Sequence, residues 1–555
     1  MVINVRHRLA QATASLPPLL RTPTLLAAVL AAGLAASLAA TVLMLALRLV
    51  AGIITLPEMV GERVLPLMSA GMFVQLLIQL GKIKPLAYAL IGQVVLGALA
   101  ALLFPVLLEG VERVRARRGV GGADRAAVGG WPTSAEWLAA GALSLLLWLL
   151  ALALFWPVLP ENLYGYPEGP ARFITIVGLA AIFALYGAVL ALAYHALAAR
   201  VAAWATRGEA APDAERRALL ARSAAVAGGS LVVGALGAGA LIHALFDRST
   251  LGYDGAQTAA LAGGTVAPVT PTSQFYVVTK NVVDPQVVLG NWALEVNGLV
   301  GRPGTYDLAR LRALPQVSRY VTLECISNEV GGHLVSNAQW HGVTLASVLA
   351  DRGGVQAAGK YIYFTSADGY HAGQALDELL AAGTLLAWEM NGQPLTDRHG
   401  FPLRTVVPGY FGEHSSKWLT GIEVVDQLKN GFYQSQGWYW GPLPTLSRID
   451  SPVRGASLAR GPVHVSGIAF AGTRGIRRVE VSADGGGTWR DATLTPPLSS
   501  QSWVLWSWPW MAVAPGDHTL TVRATDGTGA MQTAQKRGTV PEGATGYHQV
   551  RVVVR

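Results

Sequence analysis

The chain has 555 residues, of which 52% are hydrophobic and 14% charged, with a formal net charge of +8 and one cysteine, Cys325. That length exceeds a single domain, and a lone thiol excludes an internal disulfide, an iron–sulfur cluster, a four-thiolate zinc site and C-x-x-C-H haem attachment. The basic residues do not form the aromatic-interleaved stripe that nucleic acid requires; they cluster in short loops between apolar runs, so no nucleic-acid partner is expected.

Residues 1–247 read as a transmembrane α-helical bundle. Spans are predicted near 24–50, 86–108, 138–159, 173–199 and 223–246, each close to the roughly 20 apolar residues that cross a hydrocarbon core. A soluble helical core would show polar faces at helical spacing, and these segments have none. A sixth candidate, 64–81 ("VLPLMSAGMFVQLLIQLG"), is short enough to span, re-enter or lie at the interface, giving five or six spans in a lipid bilayer. His195 and His243 are the histidines of the spans and fall near opposite membrane faces, so a haem shared between them is not expected.

Two loops carry the basic charge. Arg113, Arg115, Arg117, Arg118 and Arg125 lie in one; Arg200, Arg207, Arg216, Arg217 and Arg222 precede the last span. The positive-inside tendency makes both cytoplasmic, which sends the chain beyond Phe246 to the extracytoplasmic side. The basic N-terminus (Arg6, Arg8, Arg21) agrees if 64–81 does not cross. Arg216-Arg217, followed by Leu219-Leu220 and a mild Gly/Ala-rich stretch, resembles a twin-arginine export signal placed internally; two ordinary positive-inside arginines are the alternative.

Residues 248–274 read as a Gly/Thr/Pro-rich linker. From 275 to 450, short strand-like runs ("WALEVNGLV", "YIYFTSADGY", "RTVVPGY") alternate with helix-like ones ("DLARLRAL", "TLASVLADR", "ALDELLAAG"), an α+β pattern. From 451 to 555 the runs become short alternating strands with a hairpin turn at Asp484-Gly485-Gly486, predicting an immunoglobulin-like β-sandwich whose tryptophans, at 489, 503, 506, 508 and 510, serve core and interface.

Cys325 follows the strand-like "YVTLE" and opens a polar loop, "SNEVGGH". A lone cysteine is commonly a small buried hydrophobe. At a strand end it also suits a soft metal ligand, or a nucleophile with His333, His341, His371, His399 or His414 as base. Spacing does not choose among these.

"YVTLECISNEVGGHLVSNAQWHGVTLASVLA" resembles the molybdenum-cofactor segment of the sulfite oxidase family, "DRHGFPLRTVVPGYFGEHSSKWLTGIEV" its later pterin-binding segment, and "VEVSADGGGTW" with "TVRATDG" its β-sandwich dimerisation domain. The resemblance covers about 275–555 in the family's order and leaves out the apolar half, although membrane-tethered bacterial relatives exist, which points to a bacterial cell membrane. It implies one Mo-molybdopterin per chain, with Cys325 supplying the thiolate to molybdenum, and no haem or iron–sulfur centre. It further implies cofactor contacts at Lys280, Asn281, Ser366, His399, Arg404, Ser415 and Lys417, and an active-site tyrosine at Tyr433. A small oxo substrate, a separate electron carrier (a cytochrome or quinone-linked protein) and a homodimer through the sandwich follow from the same likeness.

The chain departs from the family after the cysteine. Sulfite-oxidising relatives carry an arginine there, whereas this chain reads Ser327-Asn328-Glu329-Val330. An arginine-poor pocket predicts weak binding of a dianion and makes a sulfoxide-type substrate at least as suitable as sulfite. The expected function is two-electron oxygen-atom transfer outside the cytoplasm. The alternatives are a non-catalytic cofactor-binding or membrane scaffold protein derived from the family, and a cysteine hydrolase.

Overall fold

The computed structural model describes residues 23–72, 83–118, 131–206, 213–247, 266–281 and 284–555. Arg6, Arg8, Arg21, Arg125, Arg207, the last residues of the 64–81 candidate span and most of the linker lie outside these. The described chain forms two compact units. The first holds the helices before residue 249, and the second joins 266–555 with the segments that begin at Val64 and Asn162.

The first unit contains α1 (Pro23–Ala51), α2 (Leu56–Val64), α3 (Ile83–Ala100), α4 (Leu103–Arg117), α5 (Ser134–Phe155), α6 (Glu168–Thr206) and α7 (Asp213–Asp247), all but the short, charged α2 built on the apolar runs. Five helical stretches are long and apolar enough to cross a membrane: Thr24–Ala51, Tyr88–Arg117, Ser134–Val158, Glu168–Leu197 and Asp213–Ala244. Small residues let the helices approach closely: a Cβ on Gly97 would lie 2.3 Å from Ser37 Oγ, and one on Gly187 2.1 Å from Ser144 Oγ. The arginines read as loop residues sit largely on helix ends, Arg113, Arg115 and Arg117 in α4 and Arg216, Arg217 and Arg222 in α7. His195 pairs with a carboxylate rather than with His243, its Nδ1 lying 3.0 Å from Glu136 Oε2, and Glu136 also closes a capping box with Thr133 at the start of α5.

Two expectations change. Of the sixth candidate span, the described part is a 3₁₀ turn, Leu65–Leu67, and the start of a further helix, and it packs within the second unit. Pro66 at the head of that turn disfavours a helix running straight on from α2. The end of the linker is not a free tether either. Asn337 Nδ2 and Trp503 Nε1 donate to Pro268 O at 2.7 and 3.0 Å, and the Thr270 amide donates to Asn337 O at 2.8 Å.

The second unit contains an α+β part built on two sheets. One has the order β2 (Gly304–Tyr306), β1 (Leu294–Gly298), β10 (Leu419–Val425), β5 (Tyr361–Ser366), β6 (His371–Ala375), in which β1 and β10 run parallel. The other is β3 (Gln316–Glu324), β4 (Val335–Thr344), β7 (Leu385–Met390), β8 (Gln393–Pro394), with β9 (Arg404–Val406) also paired to β7. The short helices α8 (Leu308–Arg312), α9 (Leu345–Asp351) and α10 (Leu376–Ala381) occupy the predicted helix-like runs. Asp307 and Thr344 cap the first two of these by accepting from backbone N–H groups.

Beyond Leu446, two antiparallel-rich sheets form the sandwich: β11 (Leu446–Ser451), β13 (Gly461–Phe470), β17 (Val504–Ala512), β16 (Thr493–Leu494), and β12 (Ser457–Leu458), β19 (His548–Val554), β18 (Gly516–Asp526), β14 (Ile476–Ser482), β15 (Arg490–Asp491). Alternate residues of both inner faces, among them Val465, Val479, Val481, Trp506, Leu520, Val522 and Val550, make one core. Trp506 is 2% exposed at its centre, so Trp506→Ala should cost about 3–5 kcal/mol, read as a lower denaturation midpoint of the second unit by tryptophan fluorescence.

Candidate active site

Strand β3 is buried over its last residues, Val321 to Glu324, and it delivers Cys325 to the mouth of the β3–β4 hairpin. The loop that follows is braced by its own polar residues. The Cys325 amide donates to Leu334 O at 2.9 Å, and Asn328 accepts from the Leu334 amide at 2.9 Å while donating to Glu324 Oε1 at 3.0 Å. Arg448 of β11 reaches across to donate to Gly332 O at 2.7 Å. Gly331 has φ +80°, and a Cβ there would strike the His548 ring at 2.3 Å, so only glycine lets the loop lie against the sandwich.

The thiol faces a cavity of about 820 Å³, open solvent at its mouth included. Lys280, His399, Arg404, Ser415, Lys417 and Tyr433 line it together with Cys325, so sequence-distant candidates converge. Asn281 and Ser366 do not line it. Asn281 Nδ2 instead donates to Asp368 Oδ2 at 2.8 Å, supporting a lining residue, and the buried Ser366 hydroxyl has no partner. The sequence reading missed Tyr276, Arg398, Glu413, Tyr370 and Trp438, which also face the cavity. Glu413 and Arg398 lie inside the pterin-like segment, beside residues that were selected. Tyr276 and Tyr370 carried no signal, because aromatics in an apolar run read as core.

The cavity's charges are unusual for their depth. Arg404 is 5% exposed and bonds only carbonyl oxygens, His399 O at 3.1 Å, Ser415 O at 3.4 Å and Thr405 O at 3.3 Å, with Trp340 stacked 4.9 Å away. No carboxylate pairs with it among the described residues. Burial pulls its guanidinium down to about 10. Lys417 reaches Arg398 O at 3.2 Å across a turn in which Gly400 has φ +100°. A buried cation without a counter-charge, as Arg404 is among the described residues, is costly and calls for an anion.

The thiol has the opposite surroundings. Burial pushes Cys325 up to about 12, and the neighbouring Glu413 and Glu324 push in the same direction; hydrogen bonds from Ser327 oppose them. Burial likewise raises Glu413 and Glu324 to about 8. A nucleophilic cysteine needs a base or cation that lowers its pKa, so these surroundings disfavour a hydrolase. They suit a sulfur that loses its proton on binding a metal. Among the described residues no group of three His, Cys, Asp or Glu side chains could hold a metal ion by itself, so most ligands would come from a cofactor. A cavity with one soft donor, Cys325, and a buried guanidinium, Arg404, that no carboxylate neutralises among the described residues fits a molybdenum held by a phosphate-bearing dithiolene.

Comparison with known proteins agrees. Residues 280–433 match the family described as the oxidoreductase molybdopterin binding domain, and 443–554 the Mo-co oxidoreductase dimerisation domain. The chain is 30% identical to sulfite oxidase of Arabidopsis thaliana over 42% of its own length and 72% of that enzyme. The chain belongs to the sulfite oxidase family. It is a molybdopterin-dependent oxidoreductase by that membership. It is also 32% identical to sulfite oxidase of Gallus gallus, over 43% of this chain and 62% of that one, and 32% identical to the uncharacterized oxidoreductase YuiH of Bacillus subtilis, over 30% and 82%. Against the family expectation for this chain, the cavity as a whole is not arginine-poor, since Arg398 and Arg404 line it; it is the immediate neighbourhood of the thiol that is acidic.

Burial holds His399, His414 and His548 neutral, lowering them to about 4, 3 and 4. The unfolded chain takes up these protons near the ordinary imidazole value of about 6.5. Between that value and the depressed ones the unfolded state binds more protons, so stability falls as pH drops. The histidines therefore ease denaturation of the second unit from about pH 6.5 down to about pH 4, while Glu413 and Glu324, raised to about 8, act in the opposite sense as pH falls through that value; His414→Gln should flatten the histidine part of the slope.

Proposed function

We propose that the chain is a membrane-anchored molybdenum enzyme that transfers an oxygen atom to or from a small, uncharged oxo compound on the extracytoplasmic side. The observation that carries the substrate class is the placement of Glu413, a buried carboxyl that lines the cavity together with Cys325. A dianion such as sulfite opposes the ionisation of that carboxyl and gains little from it, while the lining arginines, Arg398 and Arg404, serve the pterin and its phosphate in this reading. A carboxyl kept protonated by burial, as in Glu413, instead donates to a neutral S=O oxygen.

In this reading Cys325 is the protein's ligand to molybdenum. Arg404, His399, Lys417, Ser415 and Lys280 hold the pterin and its phosphate, with Arg404 the central cation because it lacks any other anion. Asn281 and Ser366 act through the Asp368 turn rather than by direct contact. When bound, the cofactor supplies the two-electron oxygen-atom transfer. The chain orients the substrate, excludes water and manages protons: reduction of XO to X and water consumes two electrons and two protons. Tyr433 and Glu413 face the cavity where those protons are delivered. The electrons pass through a separate carrier, a cytochrome or quinone-linked protein, and the sandwich pairs two chains as the dimerisation domain it matches.

The side of the membrane is supported by chain topology. With five crossings, the segments after α1 and after α5 leave on the same face as the chain after α7. Those are the segments, beginning at Val64 and at Asn162, that fold into one unit with residues 266–555. The arginine-rich helix ends fall on the opposite, cytoplasmic face. Arg216 and Arg217 stand near the start of α7, where the helix dipole disfavours cations. An export address read by a receptor accounts for them there, and suits a domain that must cross already loaded with its cofactor.

Purified protein should contain about one molybdenum per chain, falling to background in Cys325→Ser. A viologen-linked assay should show reduction of sulfoxides, while a ferricyanide-linked assay with sulfite should show little activity. Molybdenum-loaded protein inactive on every oxo substrate would instead favour a non-catalytic member of the family. Arg216→Lys with Arg217→Lys should leave residues 266–555 inaccessible to external protease in intact cells, whereas continued export would remove the export-signal reading.

A further inference from the structure

Part of the cavity wall is a tight turn. Tyr433 and Trp438, both lining the cavity, pack with ring centroids 4.8 Å apart and planes tilted by 44°, and the Trp438 amide closes the turn on Tyr433 O at 3.2 Å. Between them Gln436 is 5% exposed, and its side-chain amide donates to the carbonyl of Leu65 at 3.2 Å. Leu65 stands far away in sequence, between α2 and α3. Its segment is not loosely laid on the surface. Ala70, 5% exposed, belongs to one apolar cluster with Ile326, Phe411 and Trp438, against which Leu65 and Tyr433 also pack. Ile326 is the residue after the proposed molybdenum ligand.

We infer that the Leu65–Ala70 strap is a positioning element of the substrate pocket, which sets the Tyr433–Trp438 wall and so helps select the substrate. The strap supplies the wall with a part-buried hydrogen bond and with apolar packing. An interhelical segment of the apolar half is thereby part of the site, and that half does more than anchor. Small displacements of a backing layer move a packed aromatic pair as a block, because close-packed interiors do not deform gradually. Substrate fit is then more sensitive to the strap than is cofactor retention, since Arg404 packs on Trp340, which belongs to a different apolar cluster.

The inference rests on reading the Cys325 cavity as the substrate site, and its test separates the two. In the full-length, molybdenum-loaded protein, Ala70→Asp places a carboxylate in the apolar cluster and Ala70→Ser is the mild control. Ala70→Asp should raise KM for a bulky sulfoxide about tenfold, equivalent to one lost net hydrogen bond, with kcat for dimethyl sulfoxide little changed and molybdenum content intact. Hydrogen exchange over residues 433–438 should quicken, a readout that does not depend on turnover. Separately, Gln436→Ala removes the bond to Leu65 O and leaves the apolar cluster in place, and exchange over residues 433–438 should quicken there too. Unchanged KM and exchange in Ala70→Asp, or unchanged exchange in Gln436→Ala, would overturn the inference. Should Ala70→Asp fail to fold, Gln436→Ala decides it. Faster exchange in a protein inactive on all oxo substrates would keep the strap and reject the substrate reading.

Discussion

A guanidinium sealed inside protein without a counter-anion is the constraint around which this site is organised. Arg404 donates to three carbonyl oxygens and stacks on Trp340, yet these contacts do not neutralise its charge. The fold holds it there through β9, whose pairing with β7 fixes the backbone, and through the turn from Asp397 to Gly400. Such an arrangement is poorly compensated alone and well compensated once an anion enters. The thiol is the complementary half of the same design, kept protonated by burial and nearby acids until a metal takes the sulfur. Cation and thiol thus divide the cavity into an anion-binding side and a metal-binding side.

What keeps the metal side rigid is the coupling of a loop to a second domain. The residues after Cys325 form no regular structure, but Asn328, Gly331 and Gly332 tie them to Glu324, to Leu334 and to the sandwich through His548 and Arg448. The sandwich therefore serves as a buttress for the cysteine loop in addition to any role in pairing chains. The apolar cluster that includes Ile326, Phe411, Trp438, Phe470 and Trp503 continues this support on the other side, and draws in Ala70 and Val266 from segments that sequence order would place elsewhere.

Much of the architecture was legible because local pattern decided it. Long apolar runs became the five long helical stretches, and the alternating runs after residue 446 became paired strands with inward Val465, Val479 and Val522. Local pattern decided less where it met a tertiary demand. The run from Val64 left spanning, re-entry and an interfacial position open, and its first residues are recruited to the cluster around Trp438. The Pro/Thr-rich stretch ending at 274 looked like a tether, but its carbonyls satisfy Asn337 and Trp503. Ser366 fell in a strand that matched the family's pattern, yet it is buried beside the cavity rather than lining it.

The sequence by itself determined the division into an apolar helical half and a soluble α+β and β-sandwich half, since hydrophobic periodicity and run length are properties of neighbouring residues. It also singled out Cys325, the single residue of its type, and the His399–Lys417 segment. Only the tertiary structure decided which charges share a space with the sulfur. Glu413 and Tyr276 approach Cys325 through chain crossings that no spacing encodes, and burial, which neighbouring sequence cannot specify, gives their ionisable groups the pKa values on which the chemistry turns.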